Sequence, residues 1–273
     1  MSAFLASASL VFALQAAGAA PTPGQCLALS GEEAESFLRT AEVVAVADFK
    51  TLGVTRPEKV ELRDGGRTCY AVFKTIDEHT LKKRFTDGRV ELHFSDSFKY
   101  EIAAYELDRL VGLGVVPPTV ERRIGRDRGS LCLWIEGAIT EADRLETAGT
   151  HPPDLEAWNR QVATIRLFLA LIHDTDYRNI NNLLVTPGWK LYKIDSSRAF
   201  RTDARLLQEE SLRRFSRAVL ASLESLERSE LDRRLGRWLD ARQLDGLWAR
   251  RNLLLELAAR RVASGGEEAV LFD

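Results

Sequence analysis

The sequence predicts an α+β protein with two lobes around a cleft, a β-rich N-terminal lobe and a mostly helical C-terminal lobe. Before Gly137 the residue patterns are those of paired strands with one clear helix, and after it they are those of helices with one short hairpin. A chain of 273 residues has room for two such tightly joined lobes. Clefts between lobes are common places for small ligands to bind. We therefore expect lobes at residues 27–137 and 138–273, with a ligand site between them.

Composition supports a globular chain and argues against a nucleic-acid-binding one. Hydrophobic residues make up 45% and charged residues 29%, which is too apolar for a disordered chain. The formal net charge is −2, so no general electrostatic attraction to nucleic acid is expected.

Residues 1–20 resemble a secretory signal peptide without its positively charged start. Residues 3–20 carry no charge, and the apolar stretch 10–14 leads to small residues at 17–20. If this leader is removed, we expect a periplasmic or secreted protein without a transmembrane helix; otherwise the protein is cytoplasmic. The cysteines Cys26, Cys69 and Cys132 lack metal-ligand spacing. Buried thiols are the favoured interpretation, and export would allow a Cys69–Cys132 disulfide.

The N-terminal lobe is predicted to contain two hairpins and two helices. Ser30 to Glu33 form a capping-box pattern that starts a short helix. Residues 59–63 and 68–74 form a hairpin whose second strand ends at Lys74. A helix over residues 97–110 contains Glu101, and a second hairpin pairs 119–121 with 130–135.

The C-terminal lobe is predicted to begin with a helix over residues 155–172, whose apolar residues recur at spacings of three and four. A polar loop over residues 173–182 follows. Two short strands come next, over 183–185 and 190–194, and the second ends on Asp195. Residues 206–262 are predicted to be helical throughout.

The loop and the strand end predict a site for metal and phosphate. The hairpin brings Asp174 or Asp176, together with the nearby Asn residues, close to Asp195. Carboxylate and amide oxygens suit Mg²⁺ or Mn²⁺ rather than zinc. The order of a strand-end Lys74, a helical Glu101, this loop and Asp195 is the order of parts that phosphoryl transfer uses.

Five segments in this order resemble the HipA-like and phosphatidylinositol 3- and 4-kinase-like branch of the kinase-like fold, over residues 35–215. They are residues 74–77, 100–105, 115–118, 174–176 with the Asn residues that follow, and 194–200. The resemblance implies that Lys74 contacts ATP phosphates and that Glu101 positions Lys74. It also implies that Asp176 is the catalytic aspartate and that Asp195 binds metal. The implied activity is an ATP- and divalent-metal-dependent transfer of phosphate to a hydroxyl.

Several assignments stay open at the level of sequence. Asn182 directly precedes the strand and is the favoured second metal ligand, with Asn181 as the alternative. Thr55 is a candidate phosphate contact, and Trp134 and Glu136 are candidates for flanking the adenine. The acceptor can be a protein, a lipid or a small molecule. A kinase-fold protein that binds nucleotide without transferring phosphate, or that serves as a scaffold, would carry the same motifs.

Overall fold

We describe a computed structural model of the chain, which covers residue 26 and residues 29–48, 57–85, 88, 90–147 and 150–273. Its first half contains seven strands and two helices. The strands are β1 (Glu42–Asp48), β2 (Glu58–Asp64), β3 (Arg67–Lys74), β4 (Asp77–Arg84), β5 (Val90–Ser97), β6 (Thr119–Ile124) and β7 (Asp127–Leu133); the helices are α1 (Gly31–Thr40) and α2 (Phe98–Val111).

Five of these strands form one antiparallel sheet in the order β1-β2-β3-β7-β6, while β4 and β5 form a separate hairpin. The turn between β2 and β3 uses Gly65 and Gly66, whose φ angles of 54° and 82° favour glycine. Alternate residues of β3, namely Cys69, Ala71 and Phe73, are buried in a small core that includes residues of α1. The predicted β2–β3 hairpin, the β6–β7 hairpin and the helix α2 are all present.

Two details of the N-terminal lobe differ from the expectations. Ser30 precedes α1, but its side chain makes no capping hydrogen bond, so the capping box is wrong. Glu33 instead accepts a hydrogen bond from Arg67 at 3.0 Å. The disulfide joins Cys26 to Cys69 and leaves Cys132 as a free thiol. Cys132 lies opposite Val72, so it faces away from Cys69 across the pleat.

Among the described residues, the second half contains five short strands and six α-helices. The strands are β8 (Ile139–Thr140), β9 (Leu183–Val185), β10 (Leu191–Lys193), β11 (Phe215–Ser216) and β12 (Leu271–Phe272); the helices are α3 (Glu141–Glu146), α4 (Leu155–Ile172), α5 (Arg217–Ser225), α6 (Arg228–Leu235), α7 (Ala241–Gly265) and α8 (Glu267–Val270). The predicted strands β9 and β10 pair antiparallel, and β8 adds a third strand beside β9. Residues 206–216 are not α-helical, which corrects the expectation of a helix throughout 206–262.

The main core fills the helical half and also takes in α2. Buried residues of α2 such as Ala103 and Leu107 belong to the same apolar cluster as Ile165 and Phe168 of α4. The helix that carries Glu101 is therefore held by both halves of the molecule. Among the described residues, no helix is both long and apolar enough to cross a membrane.

Candidate active site

Three charged side chains from distant parts of the chain meet in one cluster. The Nζ atom of Lys74 lies 2.7 Å from Oε1 of Glu101 and 2.9 Å from Oδ1 of Asp195. The second carboxylate oxygen of Glu101 accepts the backbone N–H of Ser196 at 3.1 Å. Glu101 therefore links the strand-end lysine to the segment that begins at Asp195.

Close packing fixes the backbone at Lys74, and a helix cap fixes the start of the helix that carries Glu101. Lys74 pairs with Ser130 across the sheet, and the next residue is Gly129. A Cβ atom on Gly129 would come within 2.2 Å of the Lys74 carbonyl oxygen, so only glycine fits here. On the other side, Ser97 caps α2 by accepting the N–H of Lys99 at 3.2 Å. Glu101 lies in the first turn of that helix.

The charges in the cluster favour an ionised lysine and an ionised Asp195. Burial disfavours the charged ammonium, but the negative charges of Asp195 and Glu101 outweigh it and raise the pKa of Lys74. Burial likewise opposes ionisation of Asp195, but Lys74 outweighs it and holds the Asp195 pKa well below its usual range. Burial raises the pKa of Glu101, and the charge of Asp195 adds to that shift.

A buried ion pair fixes the backbone around Asp195. Lys193 and Asp174 are 1% and 0% exposed, and Nζ of Lys193 lies 2.9 Å from Oδ2 of Asp174. The same ammonium donates to the carbonyl oxygen of Asp195 at 2.8 Å. Asp195 has a φ of 57°, which is uncommon for a residue with a side chain. Such strain is often found at functional sites.

The loop before β9 presents Asp176 between two amides. Oδ2 of Asp176 accepts hydrogen bonds from the side chains of Asn182 at 2.8 Å and Asn179 at 3.0 Å. Asn182 is buried, and its backbone carbonyl oxygen accepts the backbone N–H of Ile194 at 2.9 Å. Asn181 is exposed and its amide donates to Asn179. Of the two Asn candidates, Asn182 is thus the one tied to both Asp176 and the strand leading to Asp195.

Sequence reasoning missed one carboxylate at this site, Asp96. It is 7% exposed, and it is close enough to the Ser197 hydroxyl and to the charges of Asp195 and Lys74 to interact with all three. Its Oδ1 atom has no hydrogen-bond partner among the described residues. Burial, followed by the charge of Asp195, raises its pKa. A buried and half-satisfied carboxylate requires an explanation. The sequence signal was its position just before Ser97, the cap of α2.

The donor set fits a hard divalent cation. Asp195, Asn182 and Asp96 offer carboxylate and amide oxygens, and Mg²⁺ is typically held by one or two carboxylates together with phosphates and water. The Oδ1 atom of Asp96 is buried without a hydrogen-bond partner among the described residues, so it is a candidate ligand. The described residues contain no group of three or more His, Cys, Asp and Glu that could hold a metal by themselves. A cation here would therefore need further oxygen ligands, such as the Asn182 amide, water or phosphate.

The remaining candidate residues are placed as follows. Thr55 lies outside the described residues. Trp134 and Glu136 follow β7. The backbone N–H of Trp134 donates to the backbone carbonyl oxygen of Tyr70 at 2.9 Å, and the Lys59 ammonium lies over the Trp134 ring. His173 ends α4 in a left-handed conformation, and its ring hydrogen-bonds the Arg205 carbonyl oxygen at 3.1 Å.

Comparison with known proteins places the chain by structure only. No protein-family model and no curated protein sequence matches it. Its structure is similar to that of hydra Fam20 with sugar, with a TM-score of 0.61 and 17% identity over 88% of this chain and 91% of the other. It is also similar to the Golgi casein kinase, with a TM-score of 0.58 and 14% identity over 87% and 77% of the two chains. A third match is the Helicobacter pylori proinflammatory kinase CtkA, with a TM-score of 0.51 and 10% identity over 84% and 98%.

These similarities define a class of protein by its fold. The chain has a protein kinase-like fold, with an antiparallel sheet in one lobe and helices in the other. The expected two-lobed kinase-like architecture is confirmed. The comparisons do not extend to the HipA-like or phosphatidylinositol 3- and 4-kinase-like branch.

Proposed function

We propose that the protein is an ATP- and divalent-metal-dependent phosphotransferase that acts on a hydroxyl group. The observation that carries the proposal is Lys74, whose ammonium lies between Glu101 and Asp195 at 2.7 and 2.9 Å. In kinases an ATP-binding lysine pairs with a helical glutamate, and a separate aspartate binds the metal. The kinase-like fold supports the proposal, and so does the resemblance of the five segments to the HipA-like and phosphatidylinositol 3- and 4-kinase-like branch.

Each residue then has a distinct task. Lys74 contacts ATP phosphates, and Glu101 keeps its ammonium in place. Asp176 orients the acceptor hydroxyl and takes its proton, because Asn179 and Asn182 fix the direction of its carboxylate. Asp195, Asn182 and Asp96 would hold Mg²⁺ or Mn²⁺, with Asn181 as an alternative ligand. The cation, when bound, neutralises phosphate charge.

We also propose a cellular location, which the disulfide supports. The Cys26–Cys69 disulfide favours an oxidising compartment, and so supports export to the periplasm or outside the cell. The leader itself, residues 1–20, lies outside the described residues. The lobe limits of 27–137 and 138–273 remain part of the proposal, as do the adenine contacts of Trp134 and Glu136 and the phosphate contact of Thr55.

The decisive experiment measures ADP release from ATP by the mature chain with Mg²⁺ or Mn²⁺, with protein, lipid and small alcohol acceptors. We expect Asp176→Asn, Asp195→Asn and Lys74→Met each to lower turnover by about 100-fold or more. The control Asp127→Asn changes an exposed carboxylate at the start of β7 and should leave turnover intact.

An inactive nucleotide-binding protein of the same fold is the alternative. It predicts that ATP with metal raises the melting temperature while no acceptor gains phosphate. If Asp195→Asn alters neither nucleotide binding nor turnover, the site itself is misassigned.

A further inference from the structure

Gln243, a glutamine on α7, makes hydrogen bonds to residues near Glu101 and near Asp195 but is not part of the proposed site. Gln243 is 9% exposed, and its side-chain amide donates to the hydroxyl of Tyr100 at 2.8 Å and to the carbonyl oxygen of Phe200 at 3.0 Å. Its carbonyl oxygen accepts the N–H of Asp240 at 2.9 Å. Both amide hydrogens therefore have fixed partners.

The two partners are neighbours of the charged cluster. Tyr100 immediately precedes Glu101 on α2, and it is 3% exposed. Phe200 lies five residues after Asp195, and its backbone N–H donates to the backbone carbonyl oxygen of Ile172 at 2.6 Å. Phe200 has a φ of 57°, so its backbone needs support from its surroundings. The Tyr100 and Phe200 rings also pack together, with centroids 6.0 Å apart.

The rest of α7 holds the same segment. Gly246 lies so close to it that a Cβ atom there would come within 2.9 Å of the Thr202 carbonyl oxygen. Arg250 is fully buried and donates to the carbonyl oxygens of Leu171 at 2.8 Å and Arg201 at 2.9 Å. Helix α7 therefore supports the chain after Asp195 along two turns, and Gln243 is the point at which this support also reaches α2.

We propose that Gln243 is a positioning residue, which sets the distance between Glu101 and Asp195 by holding Tyr100 and Phe200 at once. The effect on catalysis rests on the proposed phosphotransferase function. Because Lys74 lies between the two carboxylates, a change in their separation changes where its ammonium meets the phosphates. Gln243 touches none of these three side chains, so its effect is indirect.

The variant proteins are expected to fold. Gln243 and Tyr100 also line a cavity of about 340 Å³ between α2 and the α6–α7 connection. Water in this cavity can hydrogen-bond the Tyr100 hydroxyl, which also keeps its hydrogen bond to Ser95 at 2.8 Å. The expected loss is therefore one of position rather than of structure.

Two substitutions separate the donors from the rest of the side chain. Gln243→Leu removes every side-chain hydrogen bond. Gln243→Glu keeps the length and the acceptor for Asp240, and its carboxylate can accept from the Tyr100 hydroxyl, but it cannot donate to the Phe200 carbonyl oxygen, so neither variant holds both partners at once. If the bonds to Tyr100 and Phe200 position the site, the two variants behave alike. If only the size of the side chain or its bond to Asp240 matters, Gln243→Glu resembles wild type.

Gln161 provides a matched control. Its amide donates to the Trp189 carbonyl oxygen at 2.9 Å, and its carbonyl oxygen accepts the N–H of Leu191 at 2.9 Å. It therefore ties α4 to the β9–β10 turn with the same chemistry, away from Tyr100 and Phe200. Gln161→Leu is expected to lower stability while kcat is retained.

The test compares kcat and KM of the full chain with hydrogen exchange of the amides in residues 196–203. Both Gln243 variants should lose about tenfold in kcat, with the acceptor KM unchanged, and should exchange about tenfold faster in this segment, the effect of one lost hydrogen bond. If the Gln243 variants show the same kcat and the same exchange rates as Gln161→Leu, the proposal is wrong. If wild type itself shows no turnover, the proposed function fails, and the exchange comparison still decides whether Gln243 orders the segment.

Discussion

At the scale of single residues, the buried pair of Lys193 and Asp174 matters most for stability. Both side chains are almost completely shielded from water, and Lys193 also bonds the backbone of Asp195. A buried pair contributes little net stability as a whole, but removal of one partner leaves an uncompensated charge. The pair therefore makes the geometry at Asp195 sensitive to any change at either position.

We expect Lys193→Met to lower the free energy of unfolding by about 3–5 kcal/mol, because Asp174 would remain buried without its partner. Urea unfolding measures this loss. The control is Arg160→Gln, which breaks a surface pair with Glu156 at 3.2 Å and should cost less than about 1 kcal/mol. Equal losses in the two variants would contradict the assignment.

The sequence was informative about site residues that belong to regular elements or follow them directly. Lys74 ends a strand, Glu101 lies on a helix with clear periodicity, and Asp195 follows a short apolar strand, so their relation could be predicted from their order. Asp96 has only its position next to Ser97 as a signal in the sequence, and its proximity to Ser197 and Asp195 depends on tertiary structure that this position does not reveal.

At the scale of elements, the disulfide connects the chain before α1 to β3, the middle strand of the five-stranded sheet. Cys26 and Cys69 are 43 residues apart, and a loop of this length is worth about 4 kcal/mol in the chain-entropy account. Reductant should therefore lower the urea midpoint of wild type. A Cys26→Ala, Cys69→Ala double variant should be equally destabilised and no longer respond.

Cys132 provides the control for this prediction. Burial raises the pKa of its thiol to about 12, so it should alkylate slowly in the native state. Cys132→Ala should keep the full response to reductant. If the response disappears in Cys132→Ala, the pairing is wrong.

Elements with strong periodicity or glycine turns were predicted, whereas those without such patterns were not. Helix α4 and the β2–β3 hairpin match their expected positions closely. Strand β1 is an edge strand with exposed Val44 and Val46, and the β4 segment is mostly charged, so neither shows the alternation of a half-buried strand. The favoured interpretation of buried thiols was wrong for Cys26 and Cys69, and so was the alternative Cys69–Cys132 disulfide, because spacing along the chain does not reveal which face of a sheet a side chain occupies.

At the scale of the whole molecule, Asp108 helps to join the lobes. Its carboxylate accepts the N–H groups of Val115 at 3.0 Å and Val116 at 3.3 Å, and the Val115 carbonyl oxygen accepts the N–H of Lys193 at 2.7 Å. Burial raises the pKa of Asp108 from 3.8 to about 6, although these amides and the charge of Lys190 act in the opposite direction.

This shift predicts a dependence of stability on pH. Between pH 3.8 and about 6 the folded protein holds a proton on Asp108 that the unfolded chain releases. The contribution of Asp108 to stability is therefore fully present below pH 3.8 and is lost as the pH rises through about 6. The difference in the free energy of unfolding between wild type and Asp108→Asn should fall by about 3 kcal/mol as the pH rises across this window, as measured by urea unfolding. Equal pH profiles for the two proteins would contradict it.

The charged cluster has a further consequence for the order in which the chain folds. Lys74 and Glu101 are 27 residues apart, and Glu101 and Ser196 are 95 residues apart. Contacts between such distant segments close large loops and tend to form late. A partly folded chain that has its sheet and separate helices would still lack the cluster. Nucleotide binding followed during refolding would therefore report the last stage of assembly, when both lobes have met.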